Sequence, residues 1–410
     1  MSSTAPKLIA LLVANALLRV AGGASGILVG LYLSDAARQG MNVDAAMVGV
    51  VGAVSFAAEL LAALPMGVLS DAIAPRWLMT LGALLGAGAT QLFGMTSQAG
   101  IFFVSRGLEG VGVAAGGPTL LAHLTDVTDG RPVLRARVMS FYELALLAGI
   151  ALGGLLGSEL WGALRVGAFA AVAGVYLLCA GLFYFGAAGS RAYGGSAALT
   201  GLSHALRDPY LRRLAPVWLC VNIVVGLWLG PTLTFLFTQD ASRGQFLSGI
   251  FANTPERMGW VMLWYALVFG LGVTAWSFVQ PRIGAARSLG IGLAAMPFVC
   301  AGLYLLNHSG EMSEGSRWMI GGVTAILIMI ESGFTPAALS LLAAAVGAQA
   351  GRGSAMGIYS VLLSIGAIAG SLLAAVLGQR YSVDGLIYGT LVLALAALIL
   401  ARSVREERIA

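Results

Sequence analysis

The chain has 410 residues, of which 59% are hydrophobic and 10% charged, against roughly a quarter charged in soluble domains. Its mean hydropathy of +0.89 excludes a soluble globular chain and points to a bilayer as its solvent. The formal charge of +5 does not signal nucleic acid, because the bases stand in short segments between apolar runs and no basic patch carries interleaved aromatics.

With about 20 apolar residues needed per crossing, spans are expected near 8–34, 45–70, 76–96, 99–125, 136–160 and 165–187. They resume near 213–238, 257–280, 288–307, 316–347, 353–378 and 384–402. This predicts an all-α membrane protein with about twelve transmembrane helices. The first run follows Lys7 and continues past Arg19 to Leu33, so it reads as a retained span rather than a signal peptide. With the N-terminus inside, the cytoplasmic segments hold most of the arginines, including Arg76, Arg131, Arg135, Arg137, Arg207, Arg212, Arg282, Arg287, Arg402 and Arg405. That bias puts both termini in the cytoplasm of a plasma or bacterial inner membrane.

The first run carries Asn15 and Arg19 one helical turn apart, on one face. Arg19 lies about 18 Å along the helix from Lys7, near mid-bilayer. In the second run Glu59 lies at similar depth. The loop that follows reads GVLSDAIAPRW from Gly67 to Trp77. It resembles the signature loop of the major facilitator superfamily through Gly67, Leu69, Asp71 and Arg76, with Ala72, Ala74 and Pro75 departing from it. A fainter copy, PRIGAAR, follows the eighth run, with Arg282 and Gly284 in the matching places. The resemblance implies a fold of two six-helix halves and a cytoplasmic latch of Gly67, Asp71 and Arg76. Asp126, near the inner end of the fourth run, is a plausible partner for Arg76.

The fourth run, SRGLEGVGVAAGGP, resembles a second motif of that family through Arg106, Gly110 and Gly112, with Glu109 where glutamine is frequent. An arginine in lipid is costly unless paired or wet, and Glu109, three residues on, is a local partner. The fifth run carries Glu143 and then AGIALGG. Gly149, Gly153 and Gly154 resemble the exporters' antiporter motif, while Ile150 stands where proline is expected. The alternative reading of these glycines is close helix packing.

The polar stretch from Ser190 to Arg213 divides the chain into residues 1–188, a cytoplasmic linker 189–212 and residues 213–410. His204, Arg207 and Arg212 suggest a short surface helix within it. An internal repeat agrees with the division. Met139, Tyr142, Gly149 and Gly153 match Met356, Tyr359, Gly366 and Gly370 at one constant offset, as in transporters built from duplicated halves. In the second half, Trp218, Asn222, Trp228, Trp264 and Tyr265 are candidates to line an amphipathic substrate site or to pack in the core. Glu331, near mid-bilayer in the tenth run, is the leading candidate to bind substrate or proton.

The ionisable residues within the spans are the functional candidates: Arg19, Glu59, Arg106, Glu109, Glu143 and Glu331. The resemblance places Arg19, Arg106, Glu109 and Glu331 toward a central cavity. Buried carboxyls can take up protons, and each has the alternative role of a structural salt bridge. Lys7 is the only lysine, so no phosphate-binding loop exists for an ATP-driven pump. His123, His204 and His308 are scattered, and Cys179, Cys220 and Cys300 all fall in apolar runs, so neither metal, cofactor nor disulfide is expected. No catalytic constellation appears. The expectation is a monomeric, proton-coupled exporter of small amphipathic or drug-like molecules. The alternatives are uptake or exchange of a small organic anion, or transport of a lipid-like substrate.

Overall fold

The computed structural model describes residues 4–128, 130–187, 209–240, 244–346 and 352–404. The helices are α1 (Thr4–Arg38), α2 (Ala45–Ala72), α3 (Pro75–Gly94), α4 (Ala99–Val127), α5 (Pro132–Leu164) and α6 (Gly167–Gly186). They continue with α7 (Pro209–Leu229), α8 (Pro231–Thr238), α9 (Met258–Ile283), α10 (Ala285–Asn307), α11 (Glu314–Glu331), α12 (Phe334–Val346), α13 (Arg352–Tyr381) and α14 (Val383–Ala401). No strand occurs among the described residues. Among the described residues, eleven helical segments are long and apolar enough to cross a membrane. The 29-residue α4, which carries Arg106 and Glu109 in its N-terminal half, is not among them. Of the predicted linker 189–212, residues 189–208, with His204 and Arg207, lie outside the described residues, and Arg212 lies in the first turn of α7.

Two compact units divide the chain. The first comprises residues 1–43, 51–195 and 253–263, and the second 44–50, 196–252 and 264–410. In the first, Leu11, Ala14, Met79, Ala83, Leu120, Leu124, Cys179 and Phe183 form a continuous apolar core from α1, α3, α4 and α6. Residues 253–263 join it because the Ser158 hydroxyl on α5 accepts the Gly259 N–H at 3.1 Å. In the second unit, Trp218, Val221, Leu293, Met296, Phe334, Ala337, Leu341 and Ala394 form the corresponding core.

The two units repeat one backbone contact. A Cβ placed on Gly149 would lie 2.7 Å from the Arg19 carbonyl carbon, and one on Gly366 would lie 2.8 Å from that of Asn222. One turn on, a Cβ on Gly153 would meet the Ala24 nitrogen at 2.9 Å, and one on Gly370 the Leu227 nitrogen at 2.7 Å. The α1–α5 and α7–α13 crossings are therefore held by the same glycines that repeat in sequence, where only a hydrogen allows the backbones so close.

Two of the predicted runs are broken helices. Pro231 has no N–H to return to Leu227, and Gly230 adopts an extended conformation (φ −77°, ψ 168°), which ends α7 and starts α8. The run predicted at 316–347 breaks at Ser332–Gly333, separating α11 from α12. The last α11 carbonyls accept from the Ser332 hydroxyl (to Met329, 2.8 Å) and the Gly333 N–H (to Ile330, 3.3 Å) and gain a further donor on α9. The Trp276 indole N–H lies 3.2 Å from the Met329 oxygen and 3.1 Å from that of Ile330, filling the need every helix end creates. Gly333 is required beneath that ring, since a Cβ there would come within 2.6 Å of the Trp276 nitrogen.

The segment between α8 and α9 is pinned by a buried polar cluster. Gln245 donates to Asp384 at 3.1 Å and to the Tyr381 carbonyl at 2.8 Å, while Asn307 donates to Asp384 at 2.8 Å. His308 Nε2 lies 3.0 Å from the same carboxylate, and the Leu247 N–H donates to the Asn307 side chain at 3.0 Å. Every partner here comes from a loop or a helix end, so the network ties connections rather than helix faces.

Candidate functional site

In the first unit, charged and phenolic side chains from five helices meet. Arg106 pairs with Glu109 on α4, and both are buried. Gly110 brings α4 close enough to α2 that a Cβ there would sit 2.9 Å from the Glu59 nitrogen. Glu59, half-buried on α2, is within electrostatic reach of Arg19. The buried Tyr176 on α6 is within reach of Arg19, Arg106 and Glu109 together.

Arg19 is held differently from Arg106. Its Nη2 donates to the Tyr142 hydroxyl at 2.8 Å, and its guanidinium carbon lies 5.5 Å from that ring's centre. Among the described residues no carboxylate comes within ion-pair distance of it. The Arg19 Nε is buried without a hydrogen-bond partner, as are both amide atoms of Asn15. Asn15 is only 1% exposed, which makes two unsatisfied atoms on one side chain a departure from normal interiors.

In the second unit, Glu331 is the last residue of α11, at the break beneath Trp276. Tyr265 on α9 and Cys300 on α10 are within its electrostatic reach. No basic side chain pairs with it among the described residues. Unlike Glu109, Glu331 has no ion-pair partner among the described residues.

The aromatic candidates divide. Trp218 is buried in the core and the Trp228 indole donates to Thr390 at 2.7 Å, so both are structural. Trp264 and Tyr265 are exposed. Asn222 spends its amide on the Trp218 carbonyl at 2.8 Å. The glycine contacts make Asn222 the counterpart of Arg19. The sequence repeat did not reach that correspondence, because the α5–α13 matches lie 217 residues apart and the α1–α7 pairs 203 apart, so only the shared glycine contacts reveal it.

Of the latch residues, Arg76 packs its guanidinium on Trp77 and Tyr184, 5.5 and 5.8 Å from the ring centres. The side chains of Asp71, Asp126 and Glu143, and the surroundings of Gly67, lie outside the described residues. Gly149 and Gly153 serve the α1–α5 crossing, and Gly154 abuts Met262.

An all-helical chain with repeated glycine crossings, broken helices and ionisable groups inside its spans has the organisation of a multi-pass membrane transporter. The sequence profile of the Major Facilitator Superfamily matches residues 11–254 and 244–409. The chain belongs to that superfamily, and it is a transporter and not an enzyme. Its fold is similar to that of a point mutant of the nucleoside transporter NupG (TM-score 0.75, 15% identity, covering 97% of this chain and 98% of that one). A bacterial homologue of the human lysosomal transporter Spinster, inward-facing and unoccupied, superposes with TM-score 0.72 and 14% identity over 98% of this chain and 96% of that one. A POT family transporter in complex with a thioalcohol-conjugated peptide gives 0.73 and 12%, over 97% and 96%. No curated protein sequence matches the chain.

Proposed function

We propose that this transporter is proton-coupled, works by alternating access, and exports small amphipathic or drug-like molecules in exchange for protons. The observation that carries the proposal is Glu331, a carboxyl at a helix break inside a membrane span with no basic partner among the described residues. An unpaired acid in a span is costly and is retained where it moves a charge. In this reading Glu331 carries the proton, Glu59 assists, and Tyr265 and Trp264 meet the apolar part of the substrate. The loop bearing Asp71 and Arg76 latches one of the alternating states, the chain acts as a monomer in the cell membrane, and both termini face the cytoplasm.

The test is transport in proteoliposomes. With an imposed pH gradient, the purified protein moves an amphipathic fluorescent cation such as ethidium, and protons flow the other way. Absence of movement for ethidium and for other amphiphiles contradicts the export reading.

A second reading, uptake or exchange of a small organic anion, is favoured by Arg19, whose only described polar partner is the hydroxyl of Tyr142. Net movement of labelled acids into right-side-out vesicles separates it from export.

A further inference from the structure

Helix α1 offers a second ligand-binding element. Side chains on a helix lean toward its N-terminus, and Arg19 and Asn15 stand one turn apart on one face of α1. The position of Arg19 is fixed on both sides. Gly149 bars the backbone from behind, and the Tyr142 hydroxyl takes one of its terminal nitrogens. What remains is a buried Nε–H donor on Arg19 and a buried amide on Asn15 that both donates and accepts, all without partners.

Charge balance says what is missing. Arg106 is neutralised by Glu109 in its own turn. Among the described residues Glu59 is a carboxylate within electrostatic reach of Arg19, and the two make no ion pair among those described. Among the described residues the groups facing this region are Arg19 on α1, Glu59 on α2, Arg106 and Glu109 on α4, Tyr142 on α5 and Tyr176 on α6. With both glutamates ionised the set is neutral. A monoanion placed on Arg19 leaves one excess negative charge in a low-dielectric span, where it is expensive. One proton on Glu59 restores neutrality. The unpartnered amide narrows the ligand further, because an acceptor beside the donors suits a hydroxyl next to the carboxylate.

We infer that Asn15 and Arg19 form a binding site for a small 2-hydroxy acid, and that Glu59 takes up a proton from solution when the acid binds. The inference rests on the small-anion reading above and not on the direction of transport or on Glu331.

The experiment is titration calorimetry of the purified protein with lactate and with mandelate, in buffers of different ionisation enthalpy. The acids bind with uptake of a proton, and the neutral isostere lactamide does not bind. Asn15→Leu weakens binding by about tenfold or more, the worth of a hydrogen bond to a charged group. Asn15→Asp supplies a counter-charge inside the chain, so it abolishes acid binding while its melting temperature stays at or above that of the unaltered protein. Glu59→Gln still binds the acid but takes up no proton. Failure of both acids to bind overturns the site, as does equal binding of lactamide. Proton uptake that survives in Glu59→Gln, or that disappears only in Glu143→Gln, overturns the role given to Glu59. Because the readout is binding, loss of proton-driven transport leaves these outcomes interpretable.

Discussion

The indole N–H of Trp276 caps the end of α11, donating to the Ile330 carbonyl at 3.1 Å across a gap of 54 residues in the chain. Ile330 precedes Glu331, so the contact fixes the turn from which the unpaired carboxyl projects. Trp276→Phe keeps the ring and removes the donor, while the Ser332 hydroxyl still donates to the Met329 carbonyl and the Gly333 N–H to that of Ile330, so the loss is about 0.5–1.5 kcal/mol. The expected result is a lower melting temperature in detergent. Gly333→Ala, which drives a methyl into the same ring, lowers it further. Unchanged melting of both variants contradicts the capping role.

Arg106 and Glu109 form a buried ion pair that leaves the Arg106 Nε without a hydrogen-bond partner. Glu109→Gln strands a buried guanidinium and costs about 3–5 kcal/mol, whereas an apolar replacement of both partners is close to neutral. Thermal melting of Glu109→Gln, Arg106→Leu and the double Leu variant checks this, with the double variant recovering most of the loss. If the double variant is as unstable as the singles, the pair does more than neutralise itself.

The repeated crossing predicts symmetric sensitivity. Gly149→Ala and Gly366→Ala push a methyl against backbone in equivalent places, and overpacking of this kind costs about 1–3 kcal/mol. Both variants show reduced monodisperse yield by size-exclusion chromatography, and Leu at either position abolishes it. A large effect at one glycine and none at the other contradicts the structural repeat.

At the loop cluster, Asn307 joins Gln245, Asp384 and the Leu247 N–H while itself fully buried. Asn307→Leu leaves the Leu247 N–H without its acceptor, while Asp384 and Gln245 keep each other, and costs about 1–3 kcal/mol. Protease cleavage within 239–254 then speeds up. Cleavage at the unaltered rate contradicts the view that this network pins the segment.

The helices were legible because hydropathy reads burial in lipid directly, and the crossings were legible through repeated glycines. The breaks were harder. Gly230–Pro231 is a local signal that an apolar run obscures. The break after Glu331 depends on Trp276, which no spacing rule connects to Ile330. Within the site, Arg106–Glu109 was readable because helical spacing brings the residues together. The hold of Tyr142 on Arg19 was not, since it spans 123 residues and depends on the α1–α5 crossing. Glu59 and Glu331 drew notice as acids in apolar runs, but only packing distinguishes an acid near a guanidinium from one with no basic partner.

The central claim, that Glu331 couples transport to protons, is tested most directly by comparing two modes of transport in one variant. Glu331→Gln is reconstituted into proteoliposomes and assayed for exchange of labelled substrate at equal pH, then for accumulation driven by a pH gradient. Retained exchange with loss of pH-driven accumulation is the predicted result. Accumulation driven by the gradient at the rate of the unaltered protein would contradict the account.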